Sequence, residues 1–140
     1  MRFVLDTHVL LWSLENDPML SATARALLED ASHEPLLSLA SLWEMAIKIS
    51  IGKLERRHTI TELVAQKLIP SGITLLPILP EHLDIVATLP FHHRDPFDRL
   101  MVAQCLSEGL PIVSRDGIFD SYFASDFGSD FNSGNVMRLW

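Results

Sequence analysis

The sequence predicts an α/β fold with a central parallel sheet of about four to five strands flanked by helices. Short apolar segments, typical of buried strands, alternate along the 140 residues with segments whose apolar residues recur at helical spacing. The strand candidates lack polar alternation, which indicates that helices cover both faces of the sheet. The length and a hydrophobic content of 48% favour one globular domain over residues 1–140.

Each element is predicted from its own local pattern. The strand candidates are Arg2–Leu5, Pro35–Ser38, Ile73–Leu76, Pro111–Ser114 and a closing strand Val136–Trp140. The helix candidates, recognised by apolar spacing and by start or stop residues, are Thr7–Leu14, Ser21–Leu28, Ser41–Ile49, Thr59–Pro70, Pro80–Leu89 and Pro96–Glu108. The tail over 121–135 is rich in Ser, Asp and Gly and is predicted as a loop.

Charge and hydropathy argue against several functions. The formal net charge of −7 argues against a generic nucleic-acid binder with a basic face. No apolar run reaches the roughly 18 to 20 residues that span a bilayer, and the first strand meets Asp6 too soon for a signal peptide. We therefore expect a cytoplasmic protein. The single cysteine, Cys105, cannot form an intrachain disulfide, and the absence of a glycine-rich phosphate loop argues against a nucleotide cofactor.

Four acidic residues fall at the ends of predicted strands or in the first turns of the helices that follow. Asp6 and Asp116 follow strands, whereas Glu44 and Asp98 open helices. In an open parallel sheet such positions face one crevice beyond the carboxyl ends of the strands. Each acid also has a purely structural interpretation, since Asp6 and Asp116 are good N-caps and Ser41 to Glu44 matches a capping box. If all four converge, their mutual repulsion favours a hard divalent cation.

The stretch from Asp95 to Asp98 contains two aspartates with different predicted roles. Asp95 followed by Pro96 is typical of a helix start, so Asp95 is predicted to be the cap. Asp98 then lies in the first turn, where the helix dipole and backbone N–H groups favour an ionised carboxylate. We assign the metal ligand to Asp98 and a supporting role to Asp95.

Carboxylate oxygens suit Mg2+ or Mn2+, and such an ion supports phosphodiester hydrolysis. It activates a water molecule, holds a phosphate oxygen and offsets charge on the leaving oxygen, so that no protein nucleophile is required. Thr7 and Ser114 place hydroxyls beside Asp6 and Asp116. These hydroxyls either orient the water or satisfy backbone groups.

Four motifs occur in order along the chain: Val4–His8, Ser41–Lys48, His93–Leu100 and Ile112–Asp116. Together they resemble the motifs of PIN-domain ribonucleases, specifically the VapC-type toxins of toxin–antitoxin pairs. The resemblance implies a PIN-like α/β fold, Mg2+- or Mn2+-dependent RNA cleavage, a homodimer, and neutralisation by a cognate VapB-like antitoxin encoded beside the toxin. It also implies that the catalytic and metal-binding acids are Asp6, Glu44, Asp98 and a more variable fourth, Asp116.

Basic residues near the acids are candidates for contact with RNA phosphates. Arg94, Arg99 and Arg115 flank the acids, and Arg56 and Arg57 belong to the only dense basic run. Solvated surface explains the same residues. The two interpretations differ in whether charge reversal changes RNA affinity and its dependence on salt.

The remaining aromatic and histidine residues have mainly structural interpretations. His92 and His93 are predicted to be loop histidines, and no zinc site is expected. Trp12, Trp43 and Trp140 are predicted to be core residues, with base stacking as the alternative. One set of apolar residues is predicted either to pack in the core or to form a groove for an antitoxin helix. The set consists of Leu10, Trp12, Leu63, Val64 and Leu68.

Two other functions stay open. One is a metal-dependent phosphatase or phosphotransferase with Asp6 as nucleophile, although this class usually has a second acid two residues on, where the chain has His8. The other is a catalytically silent PIN-like interaction module. Metal binding and RNA cleavage distinguish the three classes.

Overall fold

The computed structural model describes residues 1–124 and 136–140, which contain a five-stranded parallel sheet. The strands are β1 (Arg2–Leu5), β2 (Glu34–Ser38), β3 (Thr74–Leu76), β4 (Ile112–Val113) and β5 (Arg138–Leu139). Their order across the sheet is β3-β2-β1-β4-β5, and every neighbouring pair is parallel. The predicted α/β class and parallel sheet are therefore confirmed.

Helices connect the strands and cover the sheet. They are α1 (Thr7–Leu14), α2 (Ala22–Glu29), α3 (Leu39–Ser50), α4 (Ile60–Leu63), α5 (Pro80–Thr88), α6 (Pro96–Glu108) and α7 (Ile118–Phe123). After α4 the chain stays helical but irregular, with a π-helical turn over Val64–Leu68 and a 3-10 turn over Ile69–Ser71. Among the described residues, no helix combines the length and apolar character needed to cross a membrane.

Two apolar clusters lie on opposite faces of the sheet. Successive side chains of a strand point to opposite faces, so Val4 belongs to one cluster while Phe3 and Leu5 belong to the other. α5, α6 and α7 cover the first face, and α1 to α4 cover the second. Burial on both faces explains why the strand sequences are continuously apolar.

The predicted start of α3 at Ser41 is wrong. α3 begins at Leu39 and is capped by Ser38, whose Oγ accepts the Ala40 N–H at 3.0 Å. Ser41 therefore lies inside the helix, and the capping box predicted from Ser41 to Glu44 does not form. The last residue of β2 serves directly as the cap, which leaves no connecting loop between strand and helix.

Part of the predicted C-terminal loop is helical. Phe119 and Tyr122 of α7 are buried in the cluster beneath α6, and this burial outweighs the weak helical preference of the segment. The rest of that predicted loop, residues 125–135, lies outside the described residues.

The prediction that Trp43 is a core residue is wrong. This residue is 60% exposed, and its ring makes an edge contact with the ring of Phe97.

Candidate metal centre

The carboxyl ends of β1 and β4 bring together residues from opposite ends of the chain. The two strands are neighbours in the sheet, and the Asp6 N–H donates to the Val113 carbonyl at 3.1 Å. Asp6 thus lies beside Ser114 and Asp116. α3 and α6 contribute Glu44 and Asp98 to the same region, and the charges of Asp6, Glu44 and Asp116 all raise the pKa of Asp98.

Ser114 organises the two strand-end carboxylates. Its fully buried hydroxyl donates to Asp6 Oδ2 at 2.6 Å and accepts the Asp116 N–H at 3.0 Å. It therefore satisfies a backbone group and orients a site carboxylate at once. Asp6 is 6% exposed, and burial raises the pKa of its carboxyl group, although the hydrogen bond from Ser114 opposes this shift.

The hydroxyl of Thr7 donates to Ser41 rather than to a carboxylate. Its distance to Ser41 Oγ is 2.9 Å, and Ser41 in turn donates to Met101 Sδ at 3.6 Å. This buried chain of contacts joins α1, α3 and α6. The structure therefore places Thr7 in a packing role behind the site.

Glu44 reaches the centre from the second turn of α3 rather than from the predicted first turn. Its side chain is nearly buried, and Oε2 lies 3.0 Å from Nζ of Lys48, one helical turn further along α3. One oxygen of Glu44 is thus already balanced by a positive charge.

Of the two aspartates at the start of α6, Asp95 is the cap, as predicted. Its Oδ1 accepts the N–H groups of Phe97 at 2.8 Å and Asp98 at 3.1 Å. Without a cation, Asp98 is harder to ionise than the helix-dipole argument predicts. Burial comes first among the causes that raise the pKa of Asp98 to about 8, followed by the charges of Asp6, Asp95, Glu44 and Asp116. These effects outweigh the helix dipole.

His93 is a member of the centre that sequence reasoning missed. Its Nε2 lies 2.9 Å from Asp98 Oδ2 and 3.4 Å from Asp116 Oδ2. One potential ligand atom from each of these three residues lies within 4.8 Å of the others. The only feature of the sequence that points to this role of His93 is its position two residues before Asp95, the cap of α6.

Arg99 does not face RNA, contrary to the sequence prediction. It is 5% exposed, and its guanidinium donates to the carbonyls of Pro90 at 2.8 Å and Leu89 at 3.0 Å. The ring of Phe91 lies 3.9 Å from the guanidinium carbon. Arg99 therefore fixes the connection between α5 and α6.

The other candidate arginines are exposed but lie in different places. Arg115 lines an open cleft of about 410 Å³ together with Asp6, His8, Trp12, Asp116 and Gly117. Arg94 is exposed beside the cap of α6. Arg57 lies beyond the opposite end of α1, 3.7 Å from Glu15, within the exposed segment that also contains Arg56. Of these four arginines, Arg115 alone lines the cleft beside the acids.

The donor set fits a hard divalent cation. Four carboxylates from four parts of the chain lie in one region, and burial, followed by the charges of the neighbouring acids, raises the pKa of Asp98. Oxygen ligands at such a density suit Mg2+ or Mn2+. The residues that could hold the ion are Asp6, Glu44, Asp98 and Asp116.

The fold has counterparts among solved structures. The chain matches VapBC2 from Rickettsia felis bound to a promoter DNA fragment at 11% identity and a TM-score of 0.60, covering 99% of this chain and 98% of that one. It matches FitAcB from Neisseria gonorrhoeae at 21% identity and a TM-score of 0.58, covering 98% of this chain and 96% of that one. It matches VapBC-5 from Mycobacterium tuberculosis at 17% identity and a TM-score of 0.57, covering 99% of this chain and 98% of that one.

At these identities the structural matches establish the fold alone. A comparison with curated proteins gives no match. The family model described as PIN domain, however, matches residues 3–123, from β1 through α7 and across all four acids. The chain therefore belongs to the PIN domain family.

Proposed function

We propose that this protein is a Mg2+- or Mn2+-dependent endoribonuclease that acts in the cytoplasm as the toxin of a VapBC-type toxin–antitoxin pair. The observation that carries the proposal is the convergence of Asp6, Glu44, Asp98 and Asp116 at the carboxyl edge of a PIN-domain sheet. PIN domains are generally nucleases that depend on divalent metal. The chain has the acids that this chemistry requires.

Each residue of the centre has a definable task. When bound, a divalent cation supplies Lewis acidity and charge neutralisation for phosphodiester hydrolysis. Ser114 holds one oxygen of Asp6, and Lys48 balances one oxygen of Glu44. Asp95 fixes the first turn of α6, so Asp98 is presented from a rigid element.

An Asp6 nucleophile is less well supported. Asp6 is nearly buried and its Oδ2 already accepts a hydrogen bond from Ser114. His8 stands where a phosphatase of this kind has its second acid. The surrounding acids would also repel an approaching phosphate unless a cation balanced them.

The experiment that tests the proposal is cleavage of total cellular RNA by the purified protein, with fragments mapped by sequencing. We expect defined fragments with Mg2+ or Mn2+ and none after chelation, because the four carboxylates alone provide no electrophile for the phosphate. Metal binding without cleavage would favour the interaction module, and metal-independent cleavage would contradict the proposed mechanism.

We expect Arg115→Glu to weaken binding of a short single-stranded RNA, because Arg115 lines the cleft beside the acids. Loss of one phosphate contact should lower the slope of log affinity against log salt by about 0.7. Fluorescence anisotropy of the Asp98→Asn protein, in which cleavage is blocked, measures both quantities. Arg57→Glu is the matched control beyond the far end of α1. Equal losses in the two variants would contradict a specific role for Arg115.

We propose an antitoxin site in an apolar groove between α1, α3 and α4. A cavity of about 230 Å³ is lined mainly by apolar residues, including Leu11, Leu14, Met45 and Leu63, together with charged residues of both signs, Arg57, Lys67, Glu15 and Glu55. Of the groove residues predicted from the sequence, Leu63 lines this cavity, whereas Leu10 and Leu68 are core. The apolar face of an amphipathic helix fits this surface.

Co-expression with the product of the neighbouring gene tests the antitoxin site. We expect a stable complex with the native chain and loss of that complex with Leu14→Glu, because Leu14 lines the groove and is 39% exposed. Leu83→Glu, at a 52% exposed position on α5, is the control. Failure of the native chain to form any complex would count against the toxin assignment.

We also propose a homodimer through the outer face of α3. Leu39, Trp43, Ile47 and Ile51 recur every fourth residue and are 37–60% exposed, so they form one apolar stripe. A second copy of the chain would remove this stripe from water. Light scattering of the purified protein measures the oligomeric state directly.

A further inference from the structure

His93 sits between two of the candidate metal ligands, and its distances to them are compatible with two roles. Nε2 is 2.9 Å from Asp98 Oδ2 and 3.4 Å from Asp116 Oδ2. It could bind the cation, or it could donate its hydrogen to the carboxylates. We propose that His93 is a positioning residue that donates Nε2–H to Asp98 and Asp116 and does not bind the metal. The inference rests on the proposed metal centre.

The other ring nitrogen separates the two roles. Nδ1 of His93 accepts the backbone N–H of Asp95 at 3.0 Å. A nitrogen that accepts a hydrogen bond carries a lone pair, so the neutral ring holds its hydrogen on Nε2. Nε2 then has a hydrogen to donate and no lone pair for a cation. Metal binding through Nε2 would place a hydrogen on Nδ1, directly opposite the Asp95 N–H.

The ring is held by the contacts that also build the start of α6. Asp95 donates its N–H to His93 and accepts the N–H groups of Phe97 and Asp98 on Oδ1. On the other side, the His93 N–H donates to the Tyr122 hydroxyl at 2.7 Å. His93 and Asp98 are therefore parts of one rigid unit. Such partners behind the ligands fix the orientation of the carboxylates that bind a metal.

This role has a consequence for the chemistry of the site. An imidazole ligand would favour transition metals over Mg2+. With His93 as a donor, the protein ligands are carboxylate oxygens alone, which suit both Mg2+ and Mn2+. The Oδ2 atoms of Asp98 and Asp116 face His93, so their Oδ1 atoms are the ones not engaged by the ring.

The test is Mn2+ binding by His93→Ala, His93→Gln and, as a control, His92→Ala. His92 is exposed and contacts the ring of Tyr122 rather than an acid. We expect His93→Ala to weaken Mn2+ affinity by about 10- to 100-fold, the usual effect of losing a partner behind a metal ligand. His93→Gln keeps an N–H donor and should retain most of the affinity, while His92→Ala should match the native protein. Circular dichroism verifies that each variant is folded.

Pulsed electron paramagnetic resonance of the Mn2+-loaded native protein gives a readout that does not depend on activity. We expect no hyperfine coupling from a directly bound imidazole nitrogen. Such a coupling, or a loss in His93→Gln as large as that in His93→Ala, would overturn the inference while leaving the metal centre in place. Absence of Mn2+ binding by the folded native protein would instead refute the metal centre and, with it, the role of His93.

Discussion

Asp98→Asn should abolish metal-dependent RNA cleavage while leaving the fold intact. Asp98 is crowded by the charges of Asp6, Asp95, Glu44 and Asp116, so it belongs to the most negative part of the site. Asparagine has nearly the same shape but no charge, and it removes one of the ligands proposed for the cation. We expect the cleavage rate to fall by more than about 100-fold, which exceeds the usual cost of losing a group behind a metal ligand.

Thermal unfolding separates this effect from a loss of structure. Burial and the neighbouring acids already disfavour ionisation of Asp98 when no metal is bound, so Asp98→Asn should be at least as stable as the native protein. With Mg2+ or Mn2+, the native protein should gain stability because the ion binds only the folded state, and the variant should gain little.

Asp95→Ala is the matched control, since Asp95 lies in the same turn but caps the helix. Its loss should cost about 0.5–2 kcal/mol of stability and leave cleavage by the folded fraction near the native rate. Equal catalytic losses in well-folded Asp95→Ala and Asp98→Asn proteins would contradict this division of roles.

Arg99→Ala should destabilise the fold more than the loss of the Asp95 cap does. The guanidinium is nearly buried and satisfies the carbonyls of Leu89 and Pro90 where α5 ends. Its removal leaves these buried acceptors without their donor, at about 1–3 kcal/mol each. We expect the free energy of unfolding to fall by about 3 kcal/mol, which lowers the melting temperature by roughly 10 °C in a chain of this size.

Chemical denaturation of three variants measures this contribution. Arg99→Lys keeps the charge but loses the planar fork, so it should recover only part of the stability. Arg94→Ala removes an exposed arginine and should change stability by less than about 0.5 kcal/mol. An Arg99→Ala protein as stable as Arg94→Ala would show that the carbonyl contacts contribute little.

The sequence contained enough information for features that depend on local chemistry. Asp95 followed by Pro96 identifies the start of α6, and Gly109 identifies its end, where the glycine adopts a φ of +66°. Both signals act within a single turn of helix. The alternation of apolar strands with amphipathic helices likewise identified the parallel sheet, because burial on both faces leaves no other common arrangement.

Features that depend on distant contacts could not be predicted in this way. Ser38 and Ser41 are equally good caps by sequence, and the pairing of β2 decides between them. His93 and Arg99 acquire their roles from α5, α7 and the strand ends rather than from their neighbours in sequence. The pKa of Asp98 is raised first by burial and then by the charges of four other acids, so no local rule gives it.

The pairing of β1 with β4 has a consequence for synthesis of the protein. Ser114 and Asp6 are 108 positions apart in the chain, yet their side chains share a hydrogen bond at the centre. A nascent chain on the ribosome that already carries Asp6 still lacks Ser114 until another 108 residues have been added. The acidic centre therefore cannot assemble until Asp116 has been synthesised, whatever part of the chain has folded before.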